Sequence, residues 1–318
     1  MERYLHTGLV ADPICKKHET GWGHPECADR FDAVYAGLAR SGLVDRLQGI
    51  PVRAATDDEL ALCHTRDYIA KVRGEIASGA HTLSTGDTSV SRHSFDVATK
   101  AAGGVLNAVD AVVTREVKNA FCLVRPPGHH ATPDAGMGFC VFNNVALAAR
   151  HAQAKHGIEK VVIIDWDVHH GNGTQDTFYE DESVFYFSIH QYPWYPGTGA
   201  PSEQGAGPGK GYTLNAPLPG GAGGREVRDV FEHHFLPAME SFRPGLVLVS
   251  AGFDSREGDP LGGLRLRDED FAELTRMLLR LADRHAGGRL VSVLEGGYDL
   301  AGLAAAATAH VHELVEWT

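Results

Sequence analysis

The segment Val161–Thr174 reads VVIIDWDVHHGNGT, and its opening constrains the fold more than any other stretch. Val161 to Ile164 are consecutive β-branched residues, which pack well on a pleated surface and leave neither face of the strand polar. A strand buried on both faces belongs to a parallel sheet covered by helices. Further apolar runs recur at Ala120–Val124, Val184–Ile189, Leu246–Ser250 and Leu290–Leu294. Segments of helical period lie around them. One opens at His24-Pro25-Glu26, carries Phe31, Val34, Tyr35 and Leu38, and stops at Gly42. Thr56 with Glu59 forms a capping box, and Asp67–Val72 reads as another short helix. Phe95–Val113, Asn143–His156 (closed by Gly157), Arg225–Phe242, Asp268–His285 and a C-terminal segment complete the helical set. Gly74–Gly86 and His190–Gly211 read as loops, the second long enough to line something. This alternation predicts an α/β fold with a central, mainly parallel sheet and helices on both faces. No linker or repeat divides the chain, so residues 1–318 are expected to form one domain, with 43% apolar residues as ample core material.

Where the apolar run stops at Ile164, Asp165, Asp167, His169 and His170 follow at once. On an extended backbone Asp167 and His169 share a face about 7 Å apart, close enough for both to lean onto one ion. Asp165 would repel Asp167 unless a cation or a donor stood between them. Other strands end in the same way. Ala120–Val124 leads to His129 and His130 in RPPGHHA, Leu246–Ser250 to Asp254 in AGFDS, and Leu290–Leu294 to Tyr298 in EGGY. In open parallel sheets the functional crevice lies at the carboxyl ends of the strands. Each residue alone also fits a plain structural role, as a helix cap, a rim residue or a satisfied polar pair. Their convergence at one sheet edge is the stronger observation. Asp167, His169 and Asp254 supply three ligands and leave a fourth position open, the pattern of a catalytic zinc site. His130 and His129 are the candidate bases for a water at that position. Tyr298 is a neutral O–H donor suited to a developing oxyanion. Together they describe a site that hydrolyses an amide or ester.

Charge and cysteine content narrow the class. The net charge is −12 with no basic run, which excludes nucleic acid as the expected partner. The five cysteines form no CxxC pair, so a reducing, cytoplasmic location is expected. No apolar run approaches membrane-spanning length, and MERYLHTGLVADP has no signal-like core. GAGPGKG in the long loop fails the phosphate-loop spacing, has no Ser or Thr after Lys210 and follows no apolar strand.

The ordered motifs RPPGHHA, GFCVFNN, DWDVHHGNGT, SAGFDS, GDPLGG and LEGGY resemble those of the zinc-dependent histone deacetylase family, in a class II-like form. That subgroup includes the acetylpolyamine amidohydrolases. The resemblance runs from His24 with Arg30 to Tyr298 and implies the single-domain arginase/deacetylase fold. It implies one zinc on Asp167, His169 and Asp254, with His130 as general base and acid. His129 would pair with Asp165, and His130 with Asn172, where class I proteins carry Asp. Tyr298 matches the transition-state tyrosine. Gly138, Phe139 and Tyr195 match the acyl-lysine tunnel, Leu261 its mouth, and Asp87 a rim residue that holds the substrate backbone. A structural potassium is implied at Asp165, Ser188 and the carbonyls of Asp167, His169 and Ile189. Arg30 resembles an arginine of the acetate-exit region, and a surface salt bridge is its other reading.

Three rival functions remain at this stage. An arginase-type two-metal hydrolase needs carboxylates two residues beyond His169 and Asp254, where Gly171 and Arg256 stand. A non-catalytic acyl-lysine-binding module would need neither Tyr298 nor both histidines. An amidohydrolase of small acetylated amines would use the same catalytic set as an acyl-lysine deacetylase. Leu261, uncharged, favours the acyl-lysine of a peptide or protein, because an acidic mouth residue would instead attract a distal ammonium.

Overall fold

The computed structural model describes residues 6–317. Eight strands, β1 (Thr7–Val10), β2 (Leu47–Gly49), β3 (Ala120–Cys122), β4 (Val161–Asp165), β5 (Val184–Gln191), β6 (Thr213–Leu218), β7 (Leu246–Ala251) and β8 (Leu290–Leu294), form one sheet. Their order is β2-β1-β3-β8-β7-β4-β5-β6, and every neighbouring pair is parallel. Strands β4, β7 and β8 are buried at every residue, as both-face coverage demands. The helices pack in two groups. Ser94–Val113 lies against Asn144–His156, while Leu300–Glu316 lies between Asp29–Arg40 and Asp268–His285.

Strands β1, β2 and β6 were not expected. The first two are four and three residues long and contain glycine, and β6 is an edge strand carrying Pro217, so none shows a sustained apolar period. Other boundaries shift for identifiable reasons. The first long helix starts at Asp29, not at His24-Pro25-Glu26, because Glu26 is fully buried as an acceptor for two arginines. The helix expected at Asp67–Val72 runs from Arg66 to Ala77, through the Gly74 placed in a loop. The segment expected as one helix over Arg225–Phe242 contains a π-helical turn at Phe231–Phe235, just before Pro237, which lacks the N–H an α-turn needs. The Thr56–Glu59 capping box forms as expected, with Thr56 N–H donating to Glu59 at 2.8 Å and Glu59 N–H to the Thr56 hydroxyl at 3.2 Å.

The sheet order decides where chemistry sits. β3, β8, β7 and β4 are consecutive neighbours, so the loops after them open side by side at one edge of the sheet. The chain leaves β3 and returns at β4 beyond two strands, a change in winding direction that creates a crevice there.

Candidate active site

Strand β4 stops at Asp165, and the next residues bend instead of continuing the strand. The extended geometry expected for Asp167 and His169 is therefore not what joins them. Asp165 Oδ1 accepts the Asp167 N–H at 3.2 Å, and Asp167 Oδ1 accepts the His169 N–H at 2.9 Å. These turns curl the chain until His169 Nδ1 lies 3.0 Å from Asp167 Oδ1 and 3.2 Å from Asp254 Oδ2. The three side chains offer ligand atoms within 4.8 Å of one another. Asp254 Oδ1 is occupied by the Val168 N–H at 2.9 Å, but Asp254 Oδ2 is buried without a hydrogen-bond partner. Burial, and then the facing Asp167 carboxylate, push the Asp254 carboxyl up to about 7, with His169 opposing. A buried orphan oxygen, a second carboxylate and an imidazole are the donors a borderline dication such as Zn²⁺ takes. Room for them depends on Gly296, where a Cβ would lie 2.0 Å from Asp254 Oδ2.

The tandem histidines stand beside this cluster with rings 4.0 Å apart. His129 Nδ1 lies 3.0 Å from Asp165 Oδ2, which also accepts from the Tyr186 hydroxyl at 3.1 Å. Those donors answer the repulsion expected between Asp165 and Asp167. His130 Nδ1 lies 2.9 Å from Asn172 Oδ1. An amide oxygen only accepts, so His130 carries its proton on Nδ1 and leaves Nε2 free. Phe139, Tyr195, Leu261, Gly138 and Asp87 line, together with His130, His169 and Tyr298, a cavity of about 280 Å³. The Tyr195 ring meets His130 edge-on at 5.2 Å, and Phe139 meets Tyr298 at 5.9 Å. Asp87 Oδ1 accepts the Gly138 N–H at 2.7 Å. Ser188 sits beside Asp165 in the β4–β5 register, both fully buried, with Ile189 next along β5.

Comparisons with known proteins agree with this geometry. The histone deacetylase domain model matches residues 24–314. The chain belongs to the histone deacetylase family. A probable deacetylase of Archaeoglobus fulgidus is 40% identical over 299 residues, which is 93% of this chain and 82% of that protein. Histone deacetylase 14, chloroplastic, of Arabidopsis thaliana is 41% identical over 296 residues, 88% of this chain and 70% of that protein. The crystal structure of the HDA15 HD domain superimposes with a TM-score of 0.93 at 40% identity, over 99% of this chain and 90% of that one. The reaction of this deacetylase family is therefore the chemistry that the site has to perform.

The charge pattern around the two imidazoles is opposite. Burial lowers both, yet Asp165 and Asp167 overcome it at His129 and push it up to about 10. At His130 burial is reinforced by the His129 and His169 charges, which hold it well below the ordinary histidine value. One imidazole stays charged and its neighbour stays neutral, a division that separates electrostatic from acid–base work. Burial also keeps the Tyr298 phenol neutral, well above its ordinary value.

Several residues escaped the sequence reading. Trp194, next to Tyr195, lines the cavity and donates its indole N–H to the Leu261 carbonyl at 2.9 Å. Glu295 is fully buried and accepts the N–H groups of Gly128 (2.6 Å) and His129 (3.1 Å), fixing the loop that carries both histidines. Its signal was its place in LEGGY, directly after an apolar strand. Arg30 is fully buried, which rules out the surface salt bridge. It donates to Glu26 and to the carbonyls of Glu295 and Gly297, with its guanidinium 5.0 Å from the Tyr298 ring. Among the described residues two other side-chain groups resemble metal sites, Asp110 with His151 and His156, and His129 with Cys140 and Glu295. In the first the carboxylate is already served by both imidazoles and by Lys155, and in the second Glu295 accepts two backbone N–H groups, unlike the orphaned Asp254. Among the described residues no helix is long and apolar enough to cross a membrane.

Proposed function

We propose that this deacetylase is a zinc-dependent amidohydrolase removing acetyl groups from N-ε-acetyl-lysine in peptides or proteins, with release of acetate. The observation that carries the reading is the cavity itself. His130, His169 and Tyr298 meet at its depth, aromatic Phe139 and Tyr195 wall it, and uncharged Leu261 and Trp194 stand at its mouth. Asp167, His169 and Asp254 would hold the zinc. When bound, zinc polarises the acyl carbonyl and acidifies a water. His130, neutral with Nε2 free, takes the proton of the attacking water and returns it to the leaving amine. His129, charged beside Asp165, lowers the energy of negative charge as it develops. Tyr298 donates its O–H to the oxyanion, and Asn172 holds the His130 tautomer. Phe139, Gly138 and Tyr195 grip the acyl-lysine methylenes, while Asp87 at the rim accepts from the substrate backbone. A structural potassium beside Asp165 would take Ser188 and the carbonyls of Asp167, His169 and Ile189.

All of this belongs to one catalytic domain over residues 1–318. Five unpaired cysteines, four of them buried, suit a reducing compartment such as the cytoplasm. A non-catalytic acyl-lysine reader would not need His130 and Tyr298 turned into the same cavity. A small acetylated amine is the second reading, supported by the net charge of −12, which favours the approach of cationic substrates. The deciding measurement is kcat/KM for an acetyl-lysine peptide against acetylputrescine and acetylspermidine in one buffer. Preference for the peptide is expected, and preference for the polyamines would overturn the substrate assignment.

A further inference from the structure

The motif GDPLGG contributes more to the site than Leu261. Asp259 is 8% exposed, and its carboxylate collects three backbone N–H groups. Oδ2 accepts from Tyr298 at 2.7 Å and from Asp299 at 3.1 Å, while Oδ1 accepts from Leu261 at 2.9 Å. A buried carboxylate is costly, and backbone donors offset that cost only when both oxygens are used. Asparagine at this position could accept on one oxygen alone and would turn an N–H₂ toward donors.

Tyr298 needs such an anchor. It follows Gly296 and Gly297, and Gly297 has φ +122°, a conformation open essentially to glycine. Arg30 holds the Gly297 carbonyl at 2.7 Å just before the tyrosine, but among the described residues nothing accepts from the tyrosine hydroxyl. Rotation at this pair would carry the phenol into or out of the cavity. The mouth is fastened to the same carboxylate. Pro260 and Leu261 line the cavity, and the Leu261 carbonyl holds the Trp194 indole at 2.9 Å.

We propose that Asp259 is a positioning residue for deacetylation, holding Tyr298 against the mouth segment so that its phenol stands where the oxyanion forms. The proposal rests on Tyr298 being the oxyanion donor, and the experiment separates the two. D259N, D259A, Y298F and D259N/Y298F are compared for kcat and KM on an acetyl-lysine peptide, with zinc content and thermal unfolding measured alongside. A displacement of about 1 Å costs up to about 10²-fold, so D259N is expected to lower kcat by about 10–10²-fold with KM within about threefold. D259N/Y298F should then be no slower than Y298F alone. D259N keeps the shape of the side chain and one acceptor, so it carries the test where D259A fails to fold. Unchanged kcat in D259N overturns the proposal, as does an equal D259N penalty in the Y298F background. Near-normal turnover by Y298F would instead remove the tyrosine's role itself.

Discussion

Replacing Asn172 by Asp tests the division of labour between the tandem histidines. The protein holds its own comparison. His129 and His130 are similarly buried and adjacent, and each has a partner at Nδ1 at nearly the same distance, 3.0 Å and 2.9 Å. The partner of His129 is a carboxylate and that of His130 an amide. His129 is pushed up to about 10, while His130 is held well below its ordinary value. A carboxylate in direct contact raises a neighbouring cation's pKa by about 1–3 units, each unit being about 1.4 kcal/mol. Position 172 is the first residue of helix Asn172–Phe178, whose N-terminal dipole favours an ionised Asp. In N172D, His130 should hold its proton to higher pH and cease to be a free base in acid. The acid limb of kcat/KM against pH should move upward by at least about one unit, leaving the variant at least about tenfold impaired below that limb. If the limb stays in place, or moves downward, in a folded and zinc-loaded variant, His130 is not the base that the Asn172 contact tunes.

Three further outcomes are expected. Y298F should lose at least about 10²–10³ in kcat with little change in KM, measured on an acetyl-lysine peptide, as for loss of one oxyanion donor. Elemental analysis should find one zinc per chain, lost in Asp254→Ala; two transition metals, or full turnover after chelation, would contradict the site. Stability should also fall in mild acid. Burial holds His18, His64 and His190 down to about 4 and His310 to about 3, so the unfolded chain binds their protons first as pH drops below about 6.5. Each costs about 1.4 kcal/mol per pH unit from there to its folded value, and Glu295, raised to about 7 mainly by burial, offsets one of them. Urea midpoints at pH 7, 6 and 5 should decline in that order, and a flat series would refute the account.

The legible parts of this molecule are those whose physics is local. Strand β4 and its neighbours β7 and β8 are apolar throughout because helices cover both faces, so composition marks them directly. The candidate ligands and tandem histidines followed, since they sit just past those runs. The edge strands β2 and β6 bury less, the buried β1 is only four residues long, and all three contain Gly or Pro and carry no comparable period. Trp194 could not be read from spacing, because its place at the mouth depends on a loop folding back onto Leu261. Asp87 lies in GDTSVS, away from any strand mouth; it lines the cavity and accepts the Gly138 N–H, a contact between distant segments that spacing does not reveal. The turn at Asp165–His169 shows the opposite case. The side chains do come together, but through turns and not along an extended strand, because short acidic side chains prefer to accept from the backbone two residues on.

Arg30 shows why a charged pair read from sequence is ambiguous. Glu26 and Arg30 stand four apart, the spacing of an exposed helical pair worth a few tenths of a kcal/mol. Here Glu26 lies before the helix and, with Arg30 and Arg125, is wholly buried. Apolar side chains of similar volume would often serve stability as well, so such a group is better explained by what it positions. Arg30 donates to the carbonyls of Glu295 and Gly297, on either side of Gly296. Asp259 holds the N–H groups of Tyr298 and Asp299, just beyond. The segment from Glu295 to Asp299 therefore has two of its carbonyls fixed by a buried cation and two of its N–H groups by a buried anion. The glycines give the backbone the conformation and clearance that the Asp167 and Asp254 carboxylates require, and the two charges remove the freedom those glycines would otherwise leave to the phenol.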